Sequence, residues 1–333
     1  MGRATKQNKI VTEELIAQIN KQNLRLLDDY VTYMKSVKRS EETIAGYVND
    51  LRIFFCWLVT NAGNKYFVDI SKRDIVGFQG FMVNTLENSP ARIRRMKSSL
   101  SALSNYVVNL LDDEYPDFRN IINKVENPIN EPVREKTVLS EDQLQDLLDH
   151  LVEEKQFQKA CVIALAAYSG SRKAELVRFK ASFFCKENII LDSLYQTPKI
   201  KTKGRSGGKF ISKFVICDLF QPYLDLWNEQ RKELGINSEW LFVAKNGDQW
   251  EQLSADTLTS WAESFGNYLG VDFYFHALRH FYVTFLSRKG VNAETIKNLS
   301  GWSALGMVSL YSDQDNEELF SQHFGSGGLK PTE

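Results

Sequence analysis

Four side chains suited to handling a phosphate fall close together near the end of this chain: an imidazole, a guanidinium, an indole and a phenol. The stretch runs HALRHFYVTFLSRKGVNAETIKNLSGWSALGMVSLY, from His276 to Tyr311. If His276 opens a helix, Arg279 and His280 follow at i+3 and i+4 on its face, while Leu278, Phe281, Phe285 and Leu286 are left to pack elsewhere. Imidazole and guanidinium then point together. Downstream, Ser300-Gly301-Trp302-Ser303 breaks the helical pattern, and Tyr311 ends a short apolar segment nine positions after Trp302. Taken singly each has a plainer reading: His-x-x-Arg arises in many helices, and Tyr311 can close an apolar face with Met307, Val308 and Leu310.

The ordered set is more specific. His276-Ala277-Leu278-Arg279, then Gly301-Trp302, then Tyr311 after the nine-residue gap resembles the tyrosine recombinases, the phage-integrase and Xer-like family. Upstream, Gly170-Ser171-Arg172-Lys173-Ala174-Glu175-Leu176 resembles the family's Gly-x-Arg-x-x-Glu-Leu box; the plain alternative is an i,i+3 surface pair of Arg172 with Glu175. The departures are a tryptophan where many members carry histidine, and Ser300 in place of the usual glycine or leucine before Gly301. Neither removes a hydrogen-bond donor.

The resemblance implies a site-specific recombinase that cleaves and rejoins duplex DNA through a 3′-phosphotyrosyl intermediate, with no metal and no cofactor. Tyr311 is then the nucleophile, since a phenol stores the phosphodiester as a covalent ester without a metal. Arg172 and Arg279 offer forked donors to the charge that builds on phosphorus. His276 accepts or orders the phenolic proton, Trp302 donates its indole N–H, and Glu175 and His280 orient the others. Family members carry a catalytic lysine in a β-hairpin in a Lys-Thr or Lys-Gly context; Lys201-Thr202 and Lys203-Gly204 both qualify, with Lys201 favoured as general acid. Competing readings are a type IB topoisomerase or telomere resolvase using similar residues, or a non-catalytic DNA-binding protein that retains the fold.

The elements that must position these groups divide the chain in two. At 333 residues, 43% hydrophobic and 25% charged, the composition is that of a globular protein long enough for two domains. No run reaches the length of a membrane span and the polar start lacks the apolar core of a signal peptide, so a cytoplasmic protein is expected, with no membrane partner. Cys56, Cys161, Cys185 and Cys217 are scattered, without disulfide or zinc spacing.

Residues 1–20 read as a flexible tail, and 21–126 as a helical unit that resembles the family's core DNA-binding domain. Within it Ser40, Ser71 with Asp74, and Ser89 with Pro90 mark helix starts. Arg92, Arg94, Arg95 and Lys97 crowd the start of one helix; alone such a cluster is a solvated face, and the functional reading is contact with phosphates. Asn127-Pro128 opens a linker over 127–136, and 137–333 is expected to be the catalytic domain, mainly α with a small antiparallel β-sheet (α+β). Ser140 with Gln143 is a capping box there.

From Leu194 to Cys217 the period becomes that of strands, with Thr197, Lys199, Lys201 and Lys203 alternating along one face. Lys199, Lys201, Lys203, Arg205, Lys209 and Lys213 make the hairpin basic with no acidic residue, so it is expected to face solvent or DNA despite a net charge of −1. The tail after Tyr311, with Leu319, Phe320 and Phe324 behind an acidic run, is expected to dock on a neighbouring copy, giving a tetramer on paired sites.

Overall fold

The serines marked as helix starts do cap helices. Ser40 accepts from the Thr43 N–H, Ser71 and Asp74 form a reciprocal capping box, Ser89 accepts from the Arg92 N–H, and Ser140 pairs with Gln143. Each cap satisfies a donor that the helix itself cannot, worth about 1 kcal/mol. A computed structural model of the protein describes residues 10–129, 137–202, 209–312, 324–325 and 328–329, and these fall into two compact units on either side of the 130–136 gap.

The first unit is helical: α1 (Glu13–Gln18), α2 (Lys21–Ser36), α3 (Glu41–Asn61), α4 (Lys72–Asn84) and α5 (Pro90–Leu110). Its core centres on Leu51, Phe54, Phe55, Phe67 and Phe78, all fully buried, with Phe54 edge-on to Phe78 at 4.9 Å. Burying each such side chain contributes roughly 1.5–3 kcal/mol. The expected flexible tail over 1–20 does not hold from residue 12 onward. Thr12 caps α1, Ile19 is buried in the core, and Asn20 caps α2 while its N–H donates to Asn64 Oδ1 at 2.9 Å. Helix α1, six residues long, is too short to show an apolar stripe, whereas α2 shows one through Leu24, Leu27, Val31 and Met34.

The second unit runs α6 (Glu141–Glu153), α7 (Phe157–Ser169), α8 (Lys173–Leu176), strands β1 (Ile189–Ile190), β2 (Leu194–Gln196), β3 (Ile200–Thr202), β4 (Lys209–Ile211) and β5 (Phe214–Ile216), then α9 (Cys217–Glu233), β6 (Val243–Asn246) and β7 (Gln249–Gln252). It continues with α10 (Ala255–Leu269), α11 (Phe275–Arg288), α12 (Ala293–Ser300), α13 (Gly306–Tyr311), and the short antiparallel pair β8 (Phe324–Gly325) and β9 (Gly328–Leu329). Helix α7 is apolar on all sides and every residue from Ala160 to Ser169 is buried, which makes it the central helix, with α6, α9 and α11 packed on it. The sheets are small and antiparallel, as expected: β1-β2-β5, and the hairpins β3-β4 and β6-β7. No described helix is long and apolar enough to cross a membrane.

The basic hairpin departs from its expected form in two ways. Pro198 separates β2 from β3, so Thr197 does not share a face with Lys199 and Lys201; it is 2% exposed while both lysines are exposed, and Ile200 and Thr202 point inward. Lys213, counted among the solvent-facing cations, is completely buried. Lys203 and Arg205 lie outside the described residues, and for Lys209 only the backbone is described, paired with Thr202.

Candidate active site

Helix α11 carries the first group. His276 sits in its first turn and Arg279 and His280 follow one turn on, as the spacing predicts. Arg279 is fully buried: Nη1 donates to the Gly170 carbonyl at 2.5 Å and Nη2 to the Ser300 carbonyl at 3.3 Å. Its guanidinium lies 4.6 Å from the Trp302 ring centre and 5.6 Å from that of Tyr311. Burial, and then the nearby Arg172 charge, lower its pKa to about 10, which still leaves it charged at neutral pH.

Two glycines make this geometry accessible. Gly170 ends α7 with φ +56°, and a Cβ there would stand 2.5 Å from the Tyr282 ring, so the carbonyl that receives Arg279 depends on a residue without a side chain. Gly301 ends α12 with φ +69°, and its Cβ would meet Ile211 Cδ1 of β4 at 2.5 Å. That turn delivers Trp302, whose ring is buried.

Tyr311 closes the cluster from α13. Its hydroxyl is 2.9 Å from His276 Nε2. Its ring stacks on His280 at 4.5 Å and lies 4.9 Å from Trp302. Burial first, then the charges of His280, Arg279 and Arg172, hold the His276 pKa below its ordinary 6.5. The ring is therefore neutral at pH 7 and able to accept a proton. Two buried donors in the cluster, Arg279 Nε and Trp302 Nε1, have no acceptor among the described residues.

Arg172 leads into α8. Its backbone N–H donates to Glu175 Oε2 and its Nη1 to Glu175 Oε1, both at 2.9 Å, and its side chain remains 38% exposed. This is more than the surface pair considered from sequence, because Glu175 is 1% exposed and Lys213 Nζ lies 2.7 Å from its Oε2. Burial pushes the Glu175 carboxyl up, but Lys213, the Arg172 backbone and the Arg172 charge together outweigh it and hold the pKa below the usual value. Lys213 was missed as a site residue. It shares strand parity with buried Val215, and that was the available signal.

The structure does not bring Lys201 into this group. It is exposed on β3, its carbonyl accepting Arg178 Nη1 at 2.6 Å, and its amine has no ion pair or hydrogen bond among the described residues. In the first unit, Lys97 leaves the expected DNA-facing cluster. It is 4% exposed and its amine donates to the Val125 and Glu126 carbonyls and to Gln79 Oε1. Arg94 reaches the Pro128 carbonyl at 3.0 Å, so both hold the segment that leaves this unit. Arg92 and Arg95 instead share buried Asp50, at 2.7 and 3.5 Å.

Residues 137–318 match the phage integrase family. The SPbeta prophage-derived recombinase-like protein YomM of Bacillus subtilis (strain 168) is 28% identical over 258 residues, spanning 77% of this chain and 74% of that protein. A tyrosine recombinase of Thermosipho africanus is 25% identical over 313 residues, spanning 89% and 96%. The crystal structure of XerH bound to palindromic difH in a post-cleavage complex superposes with a TM-score of 0.65 over 92% of this chain and 89% of that one, at 17% identity, which is a likeness of fold. With the family match covering the unit that holds the Arg172, His276, Arg279, Trp302 and Tyr311 cluster, the chain belongs to the phage integrase family.

Proposed function

We propose that the protein is a site-specific DNA recombinase that breaks and rejoins duplex DNA through a tyrosine ester. The observation that carries this reading is the 2.9 Å contact of the Tyr311 hydroxyl with neutral His276, beside two buried donors that lack an acceptor among the described residues. A buried N–H without an acceptor is costly, and a phosphate oxygen supplies one. The relatives named as recombinases support the same reaction.

In the forward step the Tyr311 oxygen bonds to phosphorus, its proton passes to His276 Nε2, and the bond from phosphorus to the 5′ oxygen breaks. Arg172, Arg279 and the Trp302 indole meet the charge on the non-bridging oxygens. The departing 5′ oxygen takes a proton from the hairpin lysine, Lys201 or Lys203; the Lys201 amine is exposed, with no partner among the described residues, and can reach DNA. The reverse reaction, with another strand's 5′ hydroxyl as attacking group, completes strand exchange.

The experiment that tests this is covalent capture from a pool of nicked duplexes of randomised sequence. The protein should become linked to a subset of them and run as an adduct on a denaturing gel; a folded, DNA-binding protein that captures nothing would overturn the reading. The captured duplex then serves as substrate.

Single-turnover cleavage of that duplex should fall on acidification with a midpoint below pH 6.5, because His276 protonates below its ordinary value of 6.5. An acid limb centred at or above 6.5 contradicts the assignment of His276 as acceptor.

Double-stranded DNA is the partner, held through phosphates by Arg92, Arg94, Arg95 and Lys199, with the hairpin's Lys203, Arg205 and Lys209 in the same role. Asp50 fixes Arg92 and Arg95 side by side on α5, and Gly46 leaves room for the second, since a Cβ there would stand 2.6 Å from Arg95 Nη2. Replacing both arginines by glutamine should reduce the slope of log affinity against log salt by roughly two if each neutralises one phosphate. An unchanged slope returns them to the solvated surface. Assembly as a tetramer on paired sites through the tail is part of the same reading; residues 313–323 lie outside those described, and sedimentation with two-site DNA measures that assembly directly.

A further inference from the structure

Lys213 stands between β4 and β5 at the base of the lysine hairpin, and its backbone is held by one residue. Its N–H donates to Thr197 Oγ1 and its carbonyl accepts from the Thr197 N–H, both at 2.9 Å. Its side chain is wholly buried, with Nζ at 2.7 Å from Glu175 Oε2, while Glu175 Oε1 holds the Arg172 guanidinium at 2.9 Å. Packing alone does not account for an ammonium here. An apolar side chain of similar length would fill the same space without the cost of desolvating a charge.

We propose that Lys213 is a positioning residue for strand cleavage: by neutralising and anchoring Glu175, it aims the partly exposed Arg172 guanidinium at the scissile phosphate and ties that arginine to the base of the lysine hairpin. The proposal rests on the reading of Arg172 and Tyr311 as parts of the cleavage site. Lys213 is faced by Glu175, Arg279 and Arg172, and Glu175 by Lys213, Arg172 and Arg279. Without the ammonium, burial raises the Glu175 carboxyl with only Arg172 and Arg279 to oppose it. The acid then takes up a proton nearer neutrality, and its hold on Arg172 weakens.

The test is Lys213→Met, assayed for cleavage of the captured duplex across pH and on the same duplex carrying sulfur in place of the bridging 5′ oxygen, which leaves as a thiolate without needing a proton. Cleavage at neutral pH should fall roughly 10- to 100-fold, as when a residue that orients a reacting group is lost. The deficit relative to wild type should shrink as pH rises and persist on the sulfur substrate. Full recovery on sulfur would make Lys213 the proton donor and overturn the proposal, as would wild-type cleavage of the ordinary duplex at every pH. Should Lys213→Met not fold, the double variant Lys213→Met/Glu175→Gln removes both buried charges. It should be slowed without recovery at high pH, and a wild-type rate in it refutes the positioning role. All these outcomes are ratios to wild type on one substrate, so failure of the wild type to form its Tyr311 adduct separately marks failure of the underlying reading.

Discussion

Tyr311→Phe should bind the captured duplex as wild type does and form no covalent protein–DNA complex. The substitution deletes one oxygen. The ring that stacks on His280 at 4.5 Å and lies beside Trp302 keeps its shape, and among the described residues the hydroxyl's hydrogen bond is to His276. Losing that hydrogen bond costs about 0.5–1.5 kcal/mol of stability, too little to unfold a domain of this size. Binding through the basic side chains should therefore persist while the nucleophile is gone. An adduct that survives on a denaturing gel in Tyr311→Phe assigns the chemistry to another residue.

Substitution of Arg279 should have the next largest effect. Its guanidinium reaches carbonyls at the ends of two helices, Gly170 and Ser300, and lies against the Trp302 and Tyr311 rings, with Nε unpaired among the described residues. Lysine cannot reproduce that fork, since its ammonium is one point charge rather than a planar set of donors. Arg279→Lys should thus behave closer to Arg279→Ala than to wild type. Removing one such donor to a developing charge costs roughly 2.7–4 kcal/mol, a fall in cleavage of about 10²–10³. Because the two carbonyls are left without their donor inside the fold, the melting temperature should drop as well. Cleavage is measured per folded, DNA-bound protein to separate the two. If Arg279→Lys cleaves at the wild-type rate, the fork is dispensable and Arg279 is a packing residue.

Much of this site was legible in the sequence because its parts are local. His276, Arg279 and His280 are ordered by one helical turn, Arg172 and Glu175 by another, and Trp302 and Tyr311 by a short glycine turn and the helix after it. Helical spacing orders the first two sets; the pairing of Trp302 with Tyr311 and the union of all three came from the resemblance to the tyrosine recombinases. What could not be read was the fate of charges whose partners are distant in the chain. Lys213 looks like its exposed neighbours Lys199 and Lys201 until Glu175 is seen opposite it. Lys97 looks like Arg92 until the Val125 and Glu126 carbonyls arrive over it. Asp50, an unremarked acid within α3, is buried and organises two arginines of α5. In each case burial is decided by long-range packing, and sequence reasoning assumes that an unpaired charge stays in water. The caps at Ser40, Ser71, Ser89 and Ser140, by contrast, are local hydrogen bonds and were read from the sequence, while those at Thr12 and Asn20 were not.

The contact between Gly301 and Ile211 bears on how such a chain can vary. The turn needs a residue free to adopt φ +69°, and the space a Cβ would need is taken by the Ile211 side chain. A larger residue at 301 therefore meets two penalties at once, backbone strain and collision, and trimming Ile211 relieves only the second. The two positions lie far apart in the chain yet are coupled by this contact. In a library that randomises both, nearly every active clone should retain glycine at 301, while position 211 drifts among aliphatic side chains that fill the room the missing Cβ leaves.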